Sequence, residues 1–150
     1  MTIIADVITR LKALPAMPGP GPWLHQVEGA AGLATLKPLA ASQIPAAFVV
    51  LGEERAGGNA LIGGVHQAIA MSLVVVLVLP ALSAGAADGA PEAIEAAIGR
   101  VVAGLVGYRP AGADLEITYR GARLVSVQNN QLWLQATFET GRHVRTESTF

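Results

Sequence analysis

The chain has 150 residues, a formal net charge of −1 and no cysteine, with 52% hydrophobic and only 14% charged residues. That length favours one domain with a genuine core; the balanced charge, without a run of Lys or Arg, gives no support to a nucleic-acid or anionic-membrane surface, and the lack of cysteine excludes disulfides, thiolate metal sites and cysteine nucleophiles. The charged fraction lies below the roughly 25% usual for a globular domain, which fits either a surface covered by other subunits or a plain Ala- and Gly-rich composition.

Met1 leads straight into Thr2-Ile3-Ile4-Ala5-Asp6, with no basic stretch or cleavage site, so a secretory signal peptide is not expected. Residues 2–14 carry Ile3, Ile4, Val7, Ile8, Leu11 and Leu14 at helical spacing, with Thr2 as a cap and Pro15 as the stop. The stretch PAMPGPGP at 15–22 sustains neither a helix nor a central strand and is expected to be a turn or flexible connection. Residues 23–28 read as a short strand and 30–36 as a brief helix. Pro45 then opens a strand over 46–51, and the glycine-rich run 52–64 reads as a mobile loop.

The segment IAMSLVVVLVLPAL at 69–82 resembles a membrane span but is shorter than the roughly 20 apolar residues required. Its β-branched valines predict a long, largely buried strand over 65–79. One face carries Met71, Leu73, Val75, Leu77 and Leu79; the other runs from His66 through Ala68, Ala70 and Ser72 to Val78, so its burial should grow towards Val78. One face is expected beneath the next helix, the other against the opening helix or a neighbouring subunit.

That next helix is predicted over 88–108, capped by Asp88 or Gly89, with Gly99 and Gly104 permitting close packing on the sheet. Strands are expected at 115–120, 123–128 and 131–140, with Asn129-Asn130 as a turn and 146–150 as a flexible end. In the last strand Leu132, Leu134, Ala136 and Phe138 form one face, which leaves Trp133 on the other to meet a partner or a loop. The fold class is therefore α/β (α+β): a single domain over 1–150 with a mixed, mostly antiparallel sheet and a long central strand packed by two main helices.

No catalytic constellation emerges. The glycines at 57, 58, 63 and 64 lack the phosphate-loop spacings. His25, His66 and His143 have no helical partner or acidic cluster beside them, and Ser72 lies within a strand. No enzyme activity, cofactor or metal is expected. Assembly features stand out instead: Arg55, Gly57, Gly58 and Asn59 in the glycine-rich loop, and His66 and Gln67 at the polar start of the long strand. Trp133 and the compact basic run of Arg142, His143 and Arg145 complete the candidate subunit contacts.

The segment order IIADVITRLKAL, VEGAAGLATL, PAAFVVLGEERAGGNALIGGVHQAIAMSLVVVLVL, the helix 88–106 and GYRPAGADLEITYRGARLVSVQNNQLWLQATFET resembles the tail terminator (tail completion) family of tailed phages and prophages. The likeness covers nearly the whole chain. It implies an α/β subunit of a homo-oligomeric ring, commonly a hexamer, at the head-proximal end of the tail tube. Such a ring ends tube elongation and provides the head-joining surface. The implied partners are other copies of the chain, the major tail tube protein and a head–tail connector protein, in the virion tail and, during assembly, the host cytoplasm. The alternatives are another connector or tail tube subunit, or a small-molecule binding module using loop 52–64.

Overall fold

The computed structural model describes residues 2–16, 21–34, 43–80, 90–128 and 130–147. In chain order the elements are α1 (Ile3–Lys12), β1 (Gln26–Glu28), α2 (Ala30–Ala34), β2 (Ala46–Ala56), β3 (Gly64–Pro80), α3 (Ala90–Leu105), β4 (Thr118–Gln128) and β5 (Gln131–Glu147). The five strands form one sheet in the order β1-β2-β3-β5-β4, with β1 parallel to β2 and every other pair antiparallel. The long apolar strand is central, as its sequence predicts. It pairs with β5 from Gly64↔Glu147 to Pro80↔Gln131, the full length of both.

α1 starts where Thr2 Oγ1 accepts the Ala5 N–H at 3.1 Å, an N-cap bond that satisfies one otherwise unpaired donor. Its Val7 and Leu11 are fully buried beside Val101 and Leu105 of α3, over the sheet face made by Leu73, Val75, Leu77, Leu134, Ala136 and Phe138. Burying one such large side chain is worth roughly 1.5–3 kcal/mol. Both helices therefore lie on one face of the sheet, and the expectation that α1 could cover the opposite face is overturned. On that opposite face Ile44, Ala46, Phe48 and Val78 form a smaller cluster with Val76 and Trp133. Burial along it does rise towards Val78, from the exposed Ala68 through half-buried Val74 to a fully buried Val78.

Polar contacts pin the helix layer together. Tyr108 donates its hydroxyl to Asp6 Oδ2 at 2.6 Å, and the Ala111 N–H donates to the same oxygen at 2.7 Å. Arg10 Nε donates to the Gly104 carbonyl at 2.7 Å while its guanidinium lies 4.1 Å from the Tyr108 ring centre. Arg100 stacks over Trp23 at 4.2 Å and donates to the Pro15 carbonyl. Pro15 itself is bridged to Pro22 in antiparallel fashion.

Several element boundaries differ from the sequence reading: α3 ends at Leu105 where Tyr108 was expected, β4 starts at Thr118 and not at 115, and the strands change further. β2 does not stop at Leu51: it continues to Ala56 through a register shift between Leu51 and Glu53. A Cβ on Gly52 would stand 2.8 Å from Ser72 Oγ, so this glycine serves close approach within a bulged strand, not loop mobility. The two strands expected at 115–120 and 123–128 are the single β4, which carries Gly121 at φ 151° just after a bulge. β5 runs on through Arg142, His143 and Arg145 to Glu147, where the sequence reading ended it at Thr140 and expected a flexible end from 146.

Gly104 packs closely, but on Leu14 and not on the sheet, while a Cβ on Gly99 would meet nothing within 4 Å. The expected caps at Asp88 and Gly89 and the tail at 148–150 lie outside the described residues.

Candidate assembly surface

The helix layer covers the half of the sheet around Leu73–Leu79 and stops. Beyond it, the far half of β2, residues 64–70 of β3 and residues 141–147 of β5 continue as a three-stranded arm. Residues 51–60 are exposed along their length, and His143, Arg145 and Thr146 are exposed on β5. At its tip Ile62 is fully exposed.

The arm is held by its own hydrogen bonds. Asn59 folds the β2–β3 connection: its Oδ1 accepts from the His66 N–H at 2.8 Å and the Leu61 N–H at 3.3 Å, and its Nδ2 donates to the Gly64 and Leu61 carbonyls at 2.9 and 3.1 Å. The Gly57 N–H donates to the Ala68 carbonyl at 2.7 Å, and Gln67 Nε2 donates to the Gly57 carbonyl at 3.0 Å. A segment expected to be mobile is thus a closed hairpin end around one asparagine. A Cβ on Gly58 would meet nothing within 4 Å, whereas on Gly57 it would stand 3.3 Å from the Ala68 carbonyl oxygen.

On the helix side of the arm, Arg142 reaches across β3 to Glu54, with Nη2 and Oε1 2.9 Å apart. Along the neighbouring edge the 114–115 segment laces β5. The Asp114 N–H donates to the Gly141 carbonyl at 2.8 Å, Asp114 Oδ2 accepts the His143 N–H at 2.6 Å, and Thr140 Oγ1 donates to the Leu115 carbonyl at 2.7 Å. On the open side the His66 and His143 rings meet edge-to-face with centres 5.4 Å apart. The two histidines are distant in sequence; antiparallel register, with His66 opposite Arg145 and Ala68 opposite His143, makes them diagonal neighbours. No group of three or more His, Asp or Glu able to hold a metal gathers among the described residues.

The same open side carries two charge pairs, Arg55–Glu53 at 3.8 Å and Arg120–Glu139 at 3.6 Å, solvent-exposed except for a half-buried Glu139. Between them Ala68 and Ala70 form the floor of a shallow trough rimmed by Arg55, Arg120 and Glu139. Trp133 stands on this side at the opposite end of the sheet, with its indole N–H buried and unpartnered. The candidate residues therefore divide: those from Arg55 to Gln67 and from Arg142 to Arg145 converge on the arm, and Trp133 does not join them.

Sequence reasoning missed the β4 edge. Tyr119, Leu124, Val125 and Val127 are 40–60% exposed there. The signal was present in Leu124-Val125-Ser126-Val127, but nothing in the sequence told an edge strand from a covered one.

Compared with known families, residues 4–149 match the family described as phage tail terminator protein. The chain belongs to that family. It is a phage tail structural protein and, as such, a component of the virion. Among solved structures, a chain from the virion of a native gene transfer agent particle superposes with a TM-score of 0.51 at 14% identity, covering 95% of each chain. That likeness is one of fold. No curated protein sequence matches. For a terminator-family chain no helix among the described residues is long and apolar enough to cross a membrane.

Proposed function

We propose that this protein assembles into a homo-oligomeric ring, six-membered as the sequence resemblance implies, that caps the head-proximal end of a phage tail tube. The ring ends elongation of the tube and offers the surface to which a head–tail connector joins. Family membership over residues 4–149 supports the tail setting. The observation that carries the ring is the arm: three paired strands leave the helix-covered core and end in a fully exposed Ile62, with Arg55, His66, His143 and Arg145 along one side. An isolated chain gains little from building such an extension, because few apolar groups are buried in it. A neighbouring subunit gains a ready-made contact.

The reading is tested with purified chain and the tube protein of the same particle. Light scattering and electron microscopy should show rings that seat on tube ends and hold tube length constant. A chain that stays monomeric even with tube protein present defeats the proposal. A chain that polymerises into long filaments identifies a tube subunit instead.

A further inference from the structure

The sheet has two unequal open edges. At one, β4 has no strand on its outer side among the described residues. At the other, β1 covers only Ala46–Phe48, so β2 from Val49 to Ala56 has no strand beyond it among the described residues. Unpaired edges of this length are a liability that proteins blunt or use.

Register assigns each exposed side chain on these edges to a face. Ala122, Leu124 and Val127 pair with Ala136, Leu134 and Leu132 of β5, whose side chains lie on the helix-covered face. The helices leave this part of β4 uncovered: Leu124 is 48% and Val127 60% exposed. On the open face, Arg123 stands opposite Gln135 and its guanidinium donates to that side-chain oxygen at 3.4 Å. β2 is the complement. Leu51, on the helix side, is 42% exposed, and Glu53, opposite Ser72, lies on the open side.

We propose that β4 of one copy pairs with the far half of β2 of the next, continuing the sheet from subunit to subunit. Leu124 and Val127 then meet Leu51 on the helix side, and Arg123 meets Glu53 on the open side. The two edges are different surfaces of one chain, so the contact is head-to-tail and closes into a ring when the rotation permits. Two bulges limit the regular part of β4 to Gly121–Leu124 and Ser126–Gln128, which sets where pairing holds. This inference rests on the ring reading above and names the surface that reading leaves open.

The absence of native cysteine makes the test clean. Leu51→Cys is combined with Ala122→Cys, Leu124→Cys or Val127→Cys in the full chain, oxidised with tube protein present, and run on a non-reducing gel. Within one chain β3 and β5 separate the two positions by three strand spacings, roughly 14 Å, beyond the roughly 7 Å that a disulfide spans. At least one combination should give a ladder ending at the ring number, with each single cysteine variant giving no ladder. Dimers from Leu124→Cys alone would mean β4 pairs with itself and overturn the inference. So would the absence of any ladder from chains that light scattering shows to be oligomeric, an outcome that leaves the ring standing. A monomer under every condition removes the ring and the edge pairing together.

Charge exchange gives an independent arm. Arg123→Glu should raise the concentration needed for assembly about tenfold, and Glu53→Arg in the same chain should restore it. Restoration excludes misfolding as the cause. Unchanged assembly in Arg123→Glu, or loss that Glu53→Arg does not restore, overturns the pairing.

Discussion

Asp6 shows how one polar residue ties a helix to a distant loop. The Tyr108 hydroxyl, first, and the Ala111 N–H, second, hold its carboxyl below the usual range, helped by Arg10 and opposed by partial burial. The same bond holds the Tyr108 phenol above its ordinary value. A carboxyl whose value is lowered in the folded state contributes stability above the unfolded value near pH 4, and this is lost as pH falls through the folded value. The phenol contributes below about pH 10 and loses its share as pH rises past the folded value. Asp6→Asn should therefore flatten the fall in Tm between pH 5 and pH 2; parallel curves for variant and parent would contradict this. Two α3 glycines give a second comparison. Gly99→Ala adds a methyl into open space and should stabilise by about 1 kcal/mol, whereas Gly104→Ala must displace Leu14 Cδ2, 2.8 Å from the new carbon, and should gain less or lose. Urea titrations of both variants measure the difference directly.

At the scale of elements, the sequence made legible what periodicity controls. α1, the central strand and the Leu132–Phe138 face each follow one repeat over many residues, and each lies where that pattern puts it. Glycine was misread because its sequence signal is the same in a loop, a bulge and a close approach. Gly52 admits Ser72 and Gly121 sits beside a bulge, so strands continued where breaks were expected. The candidate contacts were legible only as types. That His66 and His143 touch, or that Glu54 answers Arg142 across β3, depends on register, which no local pattern carries. Asn59 was read as part of a mobile loop, and the structure instead closes the hairpin end on its side chain. Asn59→Ala removes four hydrogen bonds from an exposed hairpin end. It should cost only about 1 kcal/mol globally, while amide exchange at His66 and Ala68 should speed up strongly. A cooperative loss of Tm by many degrees would show instead that the hairpin end belongs to the core.

The whole molecule divides along its strands, and this gives its sharpest prediction. From Leu73 to Leu79 the helix-facing side chains of the central strand pack in the main core with Val7, Leu11, Val101, Leu105, Leu134 and Phe138, and opening this part requires global unfolding. From Gly64 to Ala70 the same strand is flanked by the exposed end of β2 and by the partly exposed end of β5, so it should open locally at a fraction of that free energy. In the isolated chain, amides of 53–56 and 64–69 should exchange well before those of 73–79. If a neighbour covers the arm in the assembled particle, as proposed above, protection there should rise by an order of magnitude or more while the core changes little. Ile62→Asp should leave the unfolding free energy of the isolated chain within about 0.5 kcal/mol of the parent, because the side chain is fully exposed. If the arm is also a subunit contact, the same substitution should remove the gain in protection. Equal protection of arm and core in the isolated chain would contradict the division, and an arm that stays fast-exchanging in the particle would detach it from assembly.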